Sequence, residues 1–342
     1  MRGDKEFKVN NFDLLRLLAA IEVVFDHYFQ HLRIPITHTA LKVLYLFPGV
    51  PVFFVISGYL ISASYERNNS LKTYMRNRVL RIYPGLWGCL LITLIIFSLT
   101  GVNFLNRQTL GWLPAQLLGF IYTPNFLSGY GFGSYNGSLW TIPIELQFYI
   151  MLPLCFLLAP KRKVNGWFVG LFIIFLALNL AYQLTDMSDK VTKLIRYTFI
   201  PHFYLFLVGV IFQRLRIYSS RFIYGKALYW IVPYFSFSLF FFDRMDAVYF
   251  TVIQYLFLSF TLLSMAYTLP TIADKLLRKN DISYGVYIYH GLILTVIVEM
   301  KWLPYINLPV VLAATSVMAL LSWFFIEKPF LKKKARTIHQ VS

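Results

Sequence analysis

An apolar stretch long enough to cross a bilayer carries five ionisable side chains near the start of the chain. It reads NFDLLRLLAAIEVVFDHYFQH over residues 11–31, and the five residues are Asp13, Arg16, Glu22, Asp26 and His27. An ionisable group at the centre of a membrane helix costs about 2.5–3.5 kcal/mol on insertion scales unless it faces a partner or a water-filled cavity. Five such groups in one span therefore indicate a functional site.

Helical geometry places three of the five on one stripe. At 100° per residue, Arg16 lies within about 20° of His27, and Asp13 lies about 40° from His27 on the other side. Because histidine has an unperturbed pKa of about 6.5, a neutral His27 can accept the proton of a hydroxyl group. Asp13 or Arg16 would fix its environment and tautomer. The alternative is an Asp13–Arg16 ion pair at the membrane interface, with His27 at the outer helix end.

Two further stretches carry arginines and small residues in suggestive patterns. Arg76, Arg78 and Arg81 lie in RNRVLRIYP, and their forked guanidinium groups suit phosphate recognition. A basic loop at the membrane surface is the alternative interpretation. Ser57 and Gly58 lie in FFVISGYL and are small enough to let helices pack closely, as in a simple packing seam.

A carboxylate and a second histidine complete the set of candidates. Glu145 lies between Trp140 and Tyr149 in SLWTIPIELQFY, where it can orient a hydroxyl, accept a proton or form a structural salt bridge. Tyr287 and His290 share one face of the segment SYGVYIYH. A lone histidine of this kind is more often a satisfied polar group than a catalyst.

The composition predicts an all-α integral membrane protein. The chain is 58% hydrophobic with a mean hydropathy of +0.60. Apolar stretches of about 17 to 25 residues, the length of a membrane helix, occur at 12–30, 44–64, 84–100, 138–159, 167–184, 198–213, 227–242, 247–269, 283–300 and 307–326. We therefore expect about ten transmembrane helices in a single domain, residues 1–342.

The basic residues predict the orientation of these helices. Of the 32 Lys and Arg residues, 23 lie in one set of alternate loops and 8 in the other set. This is the positive-inside pattern, and it predicts that both termini lie in the cytoplasm. It also explains the net charge of +17 without nucleic acid as a partner. Cys89 and Cys155 lie in predicted spans and show no metal-ligand spacing, so no metal is expected.

One predicted outer loop, residues 101–137, is longer than the others. Its first part, QTLGWLPAQLLGFIY, is predicted either to lie flat on the membrane or to re-enter it. Its second part is rich in glycine and aromatic residues, and Tyr130, Phe132 and Tyr135 offer flat apolar faces suited to sugar rings. We expect this loop to cover the mouth of a cavity.

Six stretches in this order resemble the motifs of the acyltransferase-3 family of membrane O-acyltransferases, which includes bacterial O-antigen and peptidoglycan acetylases. They are LLRLLAAIEVVFDH, FFVISGYL, RNRVLRIYP, SLWTIPIELQFY, SYGVYIYH and IEKPF, and together they cover nearly the whole chain. The resemblance implies transfer of an acyl group, most commonly acetyl from acetyl-CoA, to a hydroxyl of an envelope carbohydrate. A lipid-linked O-antigen or another surface polysaccharide at the bacterial inner membrane is the implied acceptor.

The resemblance also implies roles for the candidate residues. His27 becomes the catalytic base or an acyl relay, accompanied by Arg16, Asp13 and Glu145 at the catalytic centre. The implied donor-binding residues are Arg76, Arg78, Arg81, Ser57 and Gly58, and the implied acceptor-binding residues are Trp140, Tyr149, Tyr287 and His290. Direct transfer and a covalent acyl-histidine intermediate both remain open.

The chain departs from the family pattern at two points. Many members begin the first motif with Asp-Gly-Leu-Arg, whereas Leu14 replaces the glycine here, which should alter packing more than chemistry. Some members carry a fused extracytoplasmic hydrolase-like domain, and none is expected here, so the transmembrane domain would complete the transfer alone. A transporter or flippase is the competing class, because intramembrane ionisable residues also form proton and substrate pathways.

Overall fold

The structure is a computed structural model that describes residues 9–67 and 70–332. These residues form helices and connecting segments, and no β-strand occurs among them. The α-helices are α1 (Phe12–His31), α2 (His38–Leu44), α3 (Gly49–Arg67), α4 (Leu71–Leu99), α5 (Arg107–Leu118), α6 (Ile142–Leu158), α7 (Val164–Leu184), α8 (Asp189–Arg196), α9 (Phe203–Arg214), α10 (Ala227–Phe241), α11 (Ala247–Ala266), α12 (Ile272–Leu277), α13 (Ser283–Glu299) and α14 (Leu308–Ser322).

A helix occupies each of the ten predicted stretches. Six helical segments of the described chain have the length and apolar composition needed to cross a bilayer: His38–Arg67, Leu71–Leu99, Gly137–Leu158, Val164–Leu184, Ala247–Ala266 and Leu308–Lys332. Helices α9, α10 and α13 are shorter and apolar. The all-helical membrane fold is confirmed, whereas ten crossings and cytoplasmic termini stay predictions. The terminal basic residues in 1–8 and 333–342 lie outside the described residues.

The chain forms two compact units. Unit 1 comprises the described parts of Met1–Ala19, Thr37–Leu71 and Ile144–Lys279, and unit 2 comprises those of Ala20–Ile36, Lys72–Pro143 and Asn280–Ser342. Unit 1 includes α3 and α9, and unit 2 includes α4, α5, α13 and α14. Helix α1 contributes its first part to unit 1 and the remainder, including His27, to unit 2.

Glycines set the close packing of α3 against α9 in unit 1. A Cβ atom at Gly58 of α3 would overlap the carbonyl oxygen of Phe206 in α9, and one at Gly209 of α9 would overlap the carbonyl oxygen of Val55 in α3. Only glycine permits this approach of two backbones. The packing seam that the sequence suggested at Gly58 is therefore present.

The basic stretch RNRVLRIYP and the third predicted span form one helix, α4, of 29 residues. The third predicted span, 84–100, begins at Pro84, but Pro84 lies inside α4. A proline in this position removes one helical hydrogen bond and crowds the preceding turn. Tyr284 of α13 packs at this level and donates its hydroxyl to the carbonyl oxygen of Ile82 at 2.9 Å. The arginine stretch is therefore a continuation of a membrane helix.

Helix α5 docks against the middle of α4 in unit 2. The backbone carbonyls of Leu117 and Leu118, at the C-terminal end of α5, accept hydrogen bonds of 2.9 Å from the indole of Trp87 and the hydroxyl of Tyr83. These two donors lie 12 and 16 residues before Leu99, where α4 ends, which is about 18 and 24 Å along the axis. The contacts favour the re-entrant arrangement of this segment over the flat one.

Candidate active site

Two histidines from distant parts of the sequence meet in unit 2. The Nδ1 atom of His27, in α1, lies 2.9 Å from the Nε2 atom of His290, in α13, and the ring centroids are 5.0 Å apart. His290 is fully buried, whereas His27 is half-buried. The sequence proposed both residues for the site but gave no indication that they pair.

The hydrogen bonds around His290 define the tautomers of both rings. Nδ1 of His290 lies 3.1 Å from the carbonyl oxygen of Val286, and because a carbonyl only accepts, this nitrogen must carry a proton. With both rings neutral, Nε2 of His290 is then the acceptor, and Nδ1 of His27 is the donor. The proton of His27 is therefore on Nδ1, and its Nε2 is the basic nitrogen.

A third histidine lies beside the pair. His31 follows His27 by one helical turn, and their ring centroids are 4.6 Å apart. The imidazole of His31 stacks on Phe132 at 4.2 Å with an interplanar angle of 3°. Its Nε2 atom is buried and has no hydrogen-bond partner among the described residues. A Cβ atom at Gly137 would lie 3.3 Å from this nitrogen, so the glycine keeps side-chain atoms away from it.

A polar network holds the segment around Gly137 against α13. Asn136 donates to the carbonyl oxygen of Ile288 at 2.8 Å and accepts from the hydroxyl of Ser138 at 2.6 Å. The Thr141 and Tyr287 hydroxyls are hydrogen-bonded at 2.8 Å. The segment Gly137–Thr141 is a 3₁₀ helix, and it also carries the half-buried Trp140.

Three predicted acceptor-binding residues therefore lie in this region of unit 2. Tyr287 packs edge-on to His290 with ring centroids 5.9 Å apart, and the residue adjacent to Trp140 binds the Tyr287 hydroxyl. Both nitrogens of His290 are engaged within the protein. Contact between any of the three residues and an acceptor stays a prediction.

The three arginines predicted to bind the donor lie on α4, but their surroundings differ. Arg76 is exposed and Arg78 is half-buried. Arg81 forms an ion pair of 2.5 Å with Asp281, and Ser283 donates its hydroxyl to the other oxygen of that carboxylate at 2.5 Å. Asp281 is a buried residue that sequence reasoning missed. It fixes the position of the Arg81 guanidinium, because a charge-assisted hydrogen bond in a buried setting is strong and directional.

The remaining predicted site residues belong to unit 1. Asp13 and Arg16 form an ion pair on the first turns of α1, which is the pairing that the sequence left open as an alternative. Glu145 accepts a hydrogen bond from the hydroxyl of Tyr149, one helical turn away in α6. Ser57 precedes Gly58 in the seam between α3 and α9. The catalytic and binding roles predicted for these residues stay predictions.

The outer-loop aromatics divide into two groups. Tyr130 and Tyr135 are 6% and 2% exposed, and their hydroxyls bond to Thr100 and Gln116. Burial raises the pKa of both hydroxyls, so they remain protonated. The sequence suggested that both residues present flat faces to a sugar, but their burial contradicts this. Phe132 is half-buried and stacks on His31.

No group of three or more His, Cys, Asp or Glu side chains suited to holding a metal ion occurs within residues 9–67 and 70–332. The imidazole of His27 is tilted by 55° from that of His31 and by 42° from that of His290. His31 is the main site residue that sequence reasoning missed. Its signal was the four-residue spacing from His27 in FDHYFQH, which places both rings on one helix face.

The fold and the site define a helical membrane protein built around paired histidines. The chain belongs to the acyltransferase-3 family, whose acyltransferase domain matches residues 9–327. This confirms the resemblance carried by the six motifs, and family membership supports acyltransferase activity. No solved structure matches the chain.

Three curated relatives illustrate the range of the family. The chain is 31% identical to nodulation protein 10 of Rhizobium leguminosarum bv. viciae over 96% of this chain and 95% of that protein. It is 26% identical to the O-acetyl transferase of Shigella phage Sf6 over 96% and 98%. It is also 29% identical to the peptidoglycan O-acetyltransferase OatA of Listeria monocytogenes, over 41% of this chain and 24% of that protein.

Proposed function

We propose that the protein is a membrane O-acyltransferase that moves an acetyl group from acetyl-CoA to a hydroxyl of a cell-envelope carbohydrate. Family membership supports the reaction class, and two relatives named as O-acetyltransferases support a hydroxyl acceptor and an acetyl group. The proposed acceptor is a lipid-linked O-antigen or another surface polysaccharide, and the proposed location is the bacterial inner membrane.

The single observation that carries the proposal is the hydrogen-bonded chain from His27 through His290 to Val286. It leaves Nε2 of His27 as a basic nitrogen held in one tautomer. A base oriented by a second group is the arrangement that activates a hydroxyl nucleophile. His290 orients the imidazole of His27 as the carboxylate of a hydrolase triad orients the catalytic histidine. Here the acceptor of the Nδ1 proton is the neutral Nε2 atom of His290.

The proposed reaction is a direct transfer. The acceptor hydroxyl gives its proton to Nε2 of His27 as its oxygen bonds to the thioester carbonyl carbon. The carbon–sulfur bond breaks, and the departing thiolate takes the proton from Nε2, so that the products are the ester and free CoA. When His27 is an imidazolium, its Nδ1 proton is still held by Nε2 of His290, which stabilises that charge.

The proposed donor site uses the arginines of α4. Arg78 and Arg81 are three residues apart and lie on neighbouring positions of one helix face. Asp281 orients the Arg81 guanidinium, and the N–H donors of the two arginines suit the phosphates of CoA at the cytoplasmic membrane surface. Arg76 is exposed beside them. The pantetheine arm then carries the thioester into the membrane, so the anionic nucleotide need not cross it.

Roles for the remaining predicted residues complete the proposal. Arg16, held by Asp13, is proposed to accompany His27 at the catalytic centre, together with Glu145. Ser57 and Gly58 are proposed to line the path of the donor. Tyr149, Trp140 and Tyr287 are proposed to contact the acceptor, whereas His290 is proposed to act through His27.

The test is acetyl transfer from radiolabelled acetyl-CoA to envelope glycan in membranes that contain the wild type or His27→Ala at matched amounts. We expect labelled glycan with the wild type and loss of at least 100-fold in the variant, since a general base contributes about 10²–10⁴ in rate. His38→Gln is the matched control, because His38 is an exposed histidine that contacts Asp243. Equal labelling by His27→Ala and the wild type would refute the role of His27.

A second readout separates direct transfer from a covalent intermediate. Detergent-solubilised protein is mixed with radiolabelled acetyl-CoA without acceptor, quenched and resolved by gel electrophoresis. Direct transfer predicts no label on the protein. Label that appears on the wild type and disappears with His27→Ala would instead show an acyl-histidine intermediate.

A further inference from the structure

His31, which lies beside His27 and His290 in unit 2, has a ring nitrogen, Nε2, without a hydrogen-bond partner in the described part of the chain. Its Nε2 is buried, and a buried polar atom without a hydrogen bond destabilises the folded protein. Native proteins keep such atoms mainly where a ligand or an ordered water completes them. The atom therefore needs a polar group that residues 9–67 and 70–332 do not supply.

The surroundings of this nitrogen fix its orientation. Phe132 covers one face of the imidazole in a parallel stack, and the backbone of Gly137 lies against its edge, where even a Cβ atom would approach to 3.3 Å. The network that holds Gly137 against α13 makes this edge rigid. The ring is thus held in position, and the backbone segment that faces its nitrogen at Gly137 carries no side chain.

The distance to His27 indicates what that group is. The two imidazoles are on successive turns of α1 with centroids 4.6 Å apart, so one ligand can contact both. Under the proposed function, on which this inference rests, His27 binds the hydroxyl that is acylated. A second oxygen on the neighbouring carbon of the same sugar ring is the nearest polar group that His31 can reach.

We propose that His31 binds a hydroxyl adjacent to the one that is acylated, so that the acceptor is a sugar with a vicinal diol. The transferred proton moves between the attacking hydroxyl, Nε2 of His27 and the departing thiolate. His31 neither gains nor loses a proton in the step. Its hydrogen bond positions the sugar and selects the hydroxyl that meets His27.

The first test reads the position of the ester. Glycan labelled by wild-type membranes is purified, and the acetylated carbon is assigned by NMR. The proposal predicts an unsubstituted hydroxyl on a carbon next to the acetylated one. An ester whose neighbouring ring carbons are all linked, deoxygenated or N-acetylated would overturn it.

The second test measures selectivity with two simple acceptors, 1,2-cyclohexanediol and cyclohexanol, at matched protein amounts. We expect the wild type to favour the diol by about tenfold in kcat/KM, the effect of one hydrogen bond. His31→Leu should reduce this ratio to about two, the statistical advantage of two hydroxyls. His31→Gln, which keeps a polar atom near the same position, should recover part of the preference.

The outcomes separate this inference from the proposed function. If His31→Leu elutes and melts like the wild type but keeps the tenfold preference, His31 does not bind the second hydroxyl. A wild type that labels glycan but shows no preference for the diol, or acylates neither alcohol, also overturns the inference. In each of these cases, glycan labelling that depends on His27 leaves the proposed function intact.

Discussion

Replacement of His290 by leucine removes the acceptor for the Nδ1 proton of His27. Leucine fills a similar volume, and His290 is fully buried, so the substitution brings no new polar group into the site, and the Nδ1–H of His27 is the side-chain donor that loses its partner. The carbonyl of Val286 loses the imidazole donor but keeps its helical bond to the backbone N–H of residue 290. The principal change is therefore at His27, whose ring can rotate or change tautomer.

The expected loss follows from the hydrogen bond between the two rings. The bond joins neutral groups in the resting protein, but His27 carries a positive charge in the transition state, where such a bond contributes about 1.5–3 kcal/mol. The same bond contributes about 0.5–1.5 kcal/mol in the resting protein, so only the difference of about 1–1.5 kcal/mol affects kcat. At about 1.36 kcal/mol per tenfold change in rate, kcat should fall by about 5- to 13-fold in His290→Leu. His290→Gln retains an acceptor oxygen, so it should remain within about twofold of the wild type.

The assay compares kcat and KM for acetyl-CoA in purified protein reconstituted in lipid. A positioning role predicts a lower kcat with little change in KM, because His290 stabilises charge that develops only in the transition state. Nitrogen-15 NMR of labelled histidine supplies an independent readout, because the two imidazole nitrogens have different shifts in the two tautomers. The resting wild type should show the Nδ1-protonated form of His27.

Thermal melting and elution volume establish that the variants fold. A folded His290→Leu protein with kcat within twofold of the wild type would refute the tautomer argument. Equal losses in His290→Leu and His290→Gln would show that the volume or rigidity of the ring matters rather than its acceptor nitrogen.

Two glycine substitutions test the geometry of the same region. In Gly137→Ala, the new methyl group would lie 3.3 Å from Nε2 of His31. We therefore expect kcat/KM for the glycan acceptor to fall about threefold to tenfold, with an unchanged melting temperature. An unaltered kcat/KM would argue against binding of the acceptor beside His31. In Gly291→Ala, the methyl group would overlap Oδ1 of Asn136, so thermal unfolding should show a Tm lower by several degrees, about 1–3 kcal/mol of strain. An unchanged Tm would mean that the Asn136 network relaxes freely.

The sequence predicted the elements of the fold better than their contacts. Apolar length located a helix at each of the ten stretches, because that signal is local and strong. It was harder to predict where a helix continues beyond its apolar stretch. Pro84 is the clearest case, because a proline usually marks the start of a helix or a break in it. The tertiary packing of α4 against Tyr284 overrides that preference.

The site was predictable as a set of residues but not as an arrangement. The polarity of His27 in an apolar span singled it out, and the face shared by Tyr287 and His290 suggested a second contribution. The pairing of His27 with His290 joins residues 263 positions apart, and no local pattern specifies such a contact. His31 was not predicted, although it follows His27 by one turn on the same helix face, because the predicted stripe of ionisable residues ended at His27.

The docking of α5 on α4 has a consequence for biogenesis. At 12 residues, α5 is about 18 Å long, too short to be integrated as a separate span by the machinery that recognises about 20 apolar residues. Its terminal carbonyls are satisfied by Tyr83 and Trp87, so it gains its partners only after α4 is in the bilayer. The segment after α5, which carries Phe132, is also held by the later helix α13, where Thr295 donates its hydroxyl to the carbonyl oxygen of Ser134 at 3.1 Å. This segment should therefore reach its final position only after α13 is translated, and the histidine cluster should form in that last step.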